Sequence, residues 1–154
     1  LSRDELGGSF FCVWAPGRIE KIQCDFSAMI GSEMFGEFMV PVLREMTERV
    51  SYSLYHWDGV HAIRHHDHLL SLPNLDMIQW TPGEGQAPVD HPTWWPLYHK
   101  TIDAGKKVYV HWCENADNLK AMKREFGSKA NQMLIQMSAS SLGEAERILL
   151  AAET

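Results

Sequence analysis

From Asn74 to the end of the chain, short apolar runs alternate with helix-patterned segments. That alternation limits the possible folds more than any other feature. "LDMIQW" (Leu75 to Trp80), "KKVYVHW" (Lys106 to Trp112) and "NQMLIQM" (Asn131 to Met137) each read as a buried strand. A helix signal follows each one. "HPTWWPLYHKTIDAG" offers a cap at Thr93, apolar positions at Trp95, Leu97 and Ile102, and Gly105 as a stop. "ENADNLKAMKREFG" offers an Asn or Asp cap, an apolar face of Leu119, Met122 and Phe126, and Gly127 as a stop. "SSLGEAERILLAAE" has a Ser cap near Ser141, with Ile148, Leu149 and Ala152 as its buried face.

The upstream part repeats the scheme. "GSEMFGEFMVPVLREMTERV" predicts a longer helix with a Ser32 cap and Glu33 in its first turn. Its apolar stripe is Phe35, Phe38, Met39, Val42, Leu43 and Met46, and Pro41 predicts a kink or break. "VSYSLYHW" follows as a strand. Ahead of the helix, "FFCVWAPG" and "IEKIQCDFSAMI" read as strands or extended segments. Strand and helix thus alternate about four and a half times, which predicts parallel strands with right-handed crossovers in a single domain over 1–154.

At 154 residues an open doubly wound sheet would be complete, whereas a (β/α)8 barrel needs about 250 residues, so only part of one fits. Neither GxGxxG after a strand nor GxxxxGK[ST] occurs, so the open sheet lacks its usual nucleotide-binding marks. "PGEGQAP" (Pro82 to Pro88) reads as a long loop. The net charge of -6, with no basic patch, argues against nucleic acid as a partner. No apolar run nears the roughly 18 residues of a membrane span. Three widely spaced cysteines, Cys12, Cys24 and Cys113, point to a reducing compartment, and no signal peptide is visible; a cytoplasmic location is the expectation.

Parallel α/β folds bind ligands at the carboxyl ends of their strands. The polar residues expected there are Gln23, Cys24, Asp25 and Ser27; His56 and Asp58; Gln79 and Glu84; His111, Cys113 and Glu114; and Ser138, Ser140 and Ser141. His56 and Asp58, two apart on a strand, share a face. His111 and Cys113 repeat that spacing. Together His56, Asp58, His111 and Cys113 form a candidate metal set, since His, Cys and carboxylate are the usual zinc ligands. The alternative is that such pairs are hydrogen-bonded for structural reasons. In "HAIRHHDHLL", His61 and His65 stand four apart and His65 and His68 three apart, a spacing that can hold a metal on a helix. The plainer reading puts Ile63, His66 or Asp67, and Leu70 inside, with His61, Arg64, His65 and His68 mostly outside. Trp94 and Trp95 read as core, and Cys24 beside Asp25 reads as a pocket thiol or a small buried residue.

"QCDFSAMIGSEMFGEFMVPVLREM" and "YHWDGVHAIRHHDHLLSLPNLDMIQWTPGEGQ" resemble segments of the uroporphyrinogen decarboxylase superfamily, in a branch that includes corrinoid-linked proteins. The resemblance runs from about Phe10 to the end and is strongest from Gln23 to Gln86. It implies the C-terminal part of a (β/α)8 TIM barrel. The superfamily includes metal-free decarboxylases and zinc-dependent methylcobalamin:coenzyme M methyltransferases. In the latter, a His-x-Cys-Gly step supplies two zinc ligands. Here the matching stretch is His56-Trp57-Asp58-Gly59, with Asp in place of Cys. The family's third ligand, a Cys at the last strand exit, has no counterpart in "QMSASS", where Ala139 stands between two serines.

The resemblance implies corrinoid-linked methyl transfer, with His56 and Asp58 as the expected catalytic groups; among the strand-exit residues, Asp25 and Gln79 are the expected substrate contacts. Zinc and a corrinoid carried by the substrate or a partner protein are the implied cofactors. A small molecule or corrinoid protein is the implied substrate. Two alternatives stay open: a metal-free lyase using His56 or Asp58 for proton transfer, and a non-catalytic corrinoid-binding or partner-docking protein. Part of a barrel exposes strand edges, which predicts a homo-oligomer.

Overall fold

The computed structural model describes Gly7, Gly8 and residues 13–153. The opening of "FFCVWAPG", Phe10 to Cys12, lies outside the described residues. The chain is an α/β protein that divides into two compact units, Leu1–Gly83 and Glu84–Thr154.

In the first unit β1 (Gly7–Gly8) pairs antiparallel with β2 (Trp14–Ala15). The main strands are β3 (Ile19–Gln23), β4 (Tyr52–Asp58) and β5 (Met77–Thr81), and all are parallel. Helical segments join them, as the alternation predicts. One face of these strands carries Ile22, Tyr55, Trp57, Ile78 and Trp80, all buried. Trp57 packs on Trp80 and on His66, and its indole N–H donates to the Ala62 carbonyl at 2.9 Å. Burying side chains of this size contributes roughly 2–3 kcal/mol each before entropy is counted.

The segment after β3 is a 3-10 turn (Asp25–Met29), followed by α1 (Ser32–Met34), a π turn (Phe35–Met39) and α2 (Val40–Glu48). The break expected from Pro41 therefore appears as a widened turn just before it. Proline supplies no N–H to the carbonyl four residues back, and its ring crowds that carbonyl; the wider turn relieves both. The extra residue rotates the stripe. Phe35 and Leu43 are buried, but Phe38, Val42 and Met46 are exposed, contrary to the sequence expectation. The helix cap is Gly31 rather than Ser32. The Ser32 hydroxyl instead donates to the Arg64 carbonyl and lies 3.1 Å from His68 Nε2.

The histidine segment forms a 3-10 turn (Val60–His65) and α3 (His66–Leu70). His65 is not on the outside as expected. It is fully buried, stacked on Phe35 at 4.3 Å, with Nε2 2.8 Å from the Ser27 carbonyl. Burial holds its imidazole below the ordinary histidine range. His66 and Leu69 are also buried, while Ile63 and Leu70 are half-buried. His61 is exposed.

The second unit holds a 3-10 turn (Pro92–Trp94), α4 (Trp95–Asp103), β6 (Lys107–Val110), α5 (Ala116–Phe126), β7 (Met133–Ile135) and α6 (Leu142–Glu153). β6 and β7 are parallel, but β7 is not the buried strand expected: Leu134 is exposed, and Met133 and Ile135 are half-buried. The cap before α4 is His91, whose Nδ1 accepts from the Thr93 N–H, in place of Thr93 itself. α5 follows the sequence reading closely. Asn115 Oδ1 accepts from the Asp117 and Asn118 N–H groups, and Leu119, Met122 and Phe126 are buried. α6 opens with Ser141 accepting from the Glu144 N–H, but its buried residue is Ala151; Leu149 and Ala152 are exposed. No helix of the described residues is long and apolar enough to cross a membrane.

Candidate functional site

The register of the first unit places Gln23, His56 and Gln79 side by side across β3, β4 and β5. One step nearer the carboxyl ends, Asp58 stands beside Thr81. These side chains project from the face opposite Tyr55, Trp57 and Trp80, because strand side chains alternate. β4 stays extended through Asp58. The turn that ends it is made by Gly59, at φ +83°, whose N–H donates to the Thr81 carbonyl at 2.9 Å. Glycine reaches that conformation without the penalty of a side chain.

His56 is half-buried and Asp58 more open. His56 Nε2 lies 3.8 Å from Asp58 Oδ2. On the other side of the ring, Nδ1 meets Gln79 Oε1. Gln79 is buried, and its Nε2 donates to the Trp80 carbonyl at 3.0 Å and to the Thr81 hydroxyl at 2.7 Å. The Trp80 carbonyl can only accept, so the amide nitrogen must face it. Gln79 Oε1 therefore faces His56 as an acceptor, and His56 Nδ1–H donates.

Asp25 lies in the exposed turn after β3 and accepts from Gln23 Nε2 on both oxygens at 3.0 Å; Gln23 Oε1 in turn accepts from Lys21 Nζ. Cys24 is half-buried, and burial pushes its thiol up, with Asp25 adding to the effect. The 3-10 turn beginning at Asp25 thus anchors a polar chain of Lys21, Gln23 and Asp25 beside the His56 row.

The second unit treats its similar-looking pair differently. β6 ends at Val110, and Trp112 takes φ +71°, a conformation rarely adopted by a bulky residue. The alternation fails at that point. His111 packs against the rings of Tyr109 and Trp112. Cys113 turns inward, is buried, and lies beside Asp90 and the Asn115 carbonyl. Burial, reinforced by the Asp90 carboxylate, pushes its thiol up to about 12. Asp90, itself buried, accepts from the Glu114 N–H at 2.8 Å and the Asn118 amide at 2.9 Å. The neighbouring serines are occupied with capping: the Ser140 N–H and hydroxyl both donate to Glu144, which holds that carboxyl below its usual range.

A zinc site of the kind the resemblance implies needs three or four such donors, with cysteine as thiolate. Among the described residues no three His, Cys, Asp or Glu side chains come together as a metal group. Burial keeps Cys113 in its thiol form, whereas such a site uses the thiolate.

The sequence patterns above do not single out two contributors. Thr81 repeats the two-residue spacing from Gln79 and was detectable on that ground. Asp90, in the loop "APVDHP", carries no motif; its only signal was an acidic residue amid apolar and proline neighbours. No known protein-family model matches the chain, and no curated protein matches it.

Proposed function

We propose that the chain is part of a (β/α) barrel enzyme in which His56 transfers protons, acting as a metal-free lyase on a small carboxylated substrate. One observation carries this reading: His56 is held on one side by Gln79 and faces Asp58 on the other, at the open ends of parallel strands. Loss of CO2 from a carboxylate leaves an electron pair on carbon. The His56 imidazolium would give its Nε2 proton to that carbon, and solvent would restore it past Asp58. The balance is R–COO⁻ plus H⁺ giving R–H plus CO2. A positioned general acid of this kind typically contributes 10²–10⁴-fold.

The uroporphyrinogen decarboxylase resemblance supports the same architecture, and its metal-free branch does this class of chemistry. Corrinoid-linked methyl transfer is the second reading, supported by the His-x-Asp-Gly step at the β4 end, and a non-catalytic corrinoid-binding role is the third. Self-association belongs to the same proposal, with a second copy as the occupant. Met34, Phe38, Val42 and Met46, four residues apart on one helical run, are all exposed, as are Phe26 and Met29.

The test is CO2 release from a panel of small carboxylic acids by chelator-treated protein. Turnover that survives chelation supports the lyase. Turnover of methylcobalamin that appears only on adding zinc establishes the second reading instead. Cobalamin retention without any turnover establishes the third. Sedimentation velocity over a concentration series checks self-association, with Phe38→Glu expected to weaken it; a monomer at every concentration rules it out.

A further inference from the structure

The sequence singled out Gln79 as a group to touch substrate, but its amide is buried and bonded at both ends. It is 1% exposed. Its two N–H groups go to the Trp80 carbonyl and the Thr81 hydroxyl, and its carbonyl oxygen meets His56 Nδ1. Both N–H groups are spent, and the carbonyl oxygen keeps only its second lone pair in a side chain almost closed to solvent. What it does instead is decide how its neighbour is protonated.

We propose that Gln79 is a positioning residue whose anchored carboxamide fixes His56 as the Nδ1–H tautomer, making Nε2 the atom that takes and gives the proton. The argument has three links. The Trp80 carbonyl is a backbone acceptor with no donor form, so it sets which end of the amide is nitrogen. The amide oxygen that remains can only accept, so Nδ1 must carry hydrogen in the neutral ring. The lone pair then falls on Nε2, on the Asp58 side, 3.8 Å from the carboxylate. A carboxamide does this without adding a charge beside the ring, which a carboxylate in the same place would do. Thr81 sharpens the effect: accepting from Gln79 at 2.7 Å, it holds the amide from a second direction.

The tautomer follows from the geometry alone; the catalytic significance of Nε2 rests on the proton-transfer reading above. The test separates the two. Nitrogen-15 spectra of the neutral His56 ring report which nitrogen carries hydrogen without any substrate. Wild type is expected to show Nδ1–H. Gln79→Leu removes the acceptor and is expected to give a tautomer mixture, while Gln79→Glu, which keeps an acceptor oxygen, is expected to retain Nδ1–H. A wild-type ring protonated on Nε2, or an unchanged tautomer in Gln79→Leu, overturns the inference. If Gln79→Leu does not fold, the wild-type and Gln79→Glu spectra still decide it. Should the tautomers behave as stated while His56→Ala keeps full CO2 release, the positioning stands and the lyase reading fails.

Discussion

The ends of β4 and β6 carry the same sequence signal, His-x-acceptor at the close of an apolar strand, and fold into different chemistry. At β4 the extended backbone persists through Asp58 and ends on a glycine. His56 and Asp58 therefore share a face, half open to water, with the imidazole oriented by Gln79. At β6 the strand stops one residue before His111, and Trp112 turns through a left-handed conformation. His111 stays with aromatic rings while Cys113 is drawn into the interior beside Asp90. Spacing alone does not bring two side chains to one face; the strand has to continue between them. A glycine beyond the pair lets it continue, whereas a reversal between the pair separates it.

That contrast can be broken or sharpened by experiment. The largest expected effect is on thiol chemistry. With a thiol near 12 against an ordinary value of 9.0, Cys113 should react with iodoacetamide at pH 8 about a thousandfold more slowly than an unperturbed thiol. Peptide mapping after timed alkylation reads this directly, and rapid labelling of Cys113 in folded protein would erase the contrast.

Next comes stability. Asp90→Ala leaves the Glu114 N–H and the Asn118 amide without their acceptor, and should cost about 3 kcal/mol in denaturant unfolding. Asp58→Ala, at an open site, should cost no more than about 0.5 kcal/mol. Comparable losses would mean that Asp58 is structural too. Gly59→Ala should cost about 2 kcal/mol, because no neighbouring atom crowds the site but φ +83° with ψ 139° is a conformation that residues with a Cβ rarely adopt. It should also move the Asp58 resonances.

The smallest effect concerns pH. His65 is neutral in the folded unit and titrates below its unfolded value of 6.5. Between those two values the unfolded chain binds the extra proton. Stability is therefore intact above pH 6.5 and falls as the pH drops below it. His65→Gln should flatten that part of the stability curve, and an unflattened curve would assign the acid sensitivity to other groups.

Much of the fold was legible because local and long-range signals agreed. α5 is the plainest case: Asn115 caps it, Leu119, Met122 and Phe126 face inward, and Gly127 ends it. The apolar runs located β4, β5 and β6 as parallel strands, whereas β7 keeps Leu134 exposed and its burial was misjudged. What was hidden depended on partners distant in sequence. His65 looked like a solvent-facing histidine until Phe35 and the Ser27 carbonyl covered it. The outward rotation of Phe38 and Val42 followed from a widened turn, for which Pro41 gave only the general location. Within the site, His56 and Asp58 were readable from strand alternation, and their support by Gln79 and Thr81 was half readable. Asp90 was not readable at all, since its partners, Glu114 and Asn118, lie 24 and 28 residues further along the chain.

The most direct test compares two variants in one assay of CO2 release, normalised to folded protein. His56→Ala should lower the rate at least about 100-fold, the scale of a lost general acid, while Cys113→Ala should leave it within about twofold. Unimpaired release by His56→Ala, or an equal loss in Cys113→Ala, would contradict the assignment of the chemistry to the end of β4.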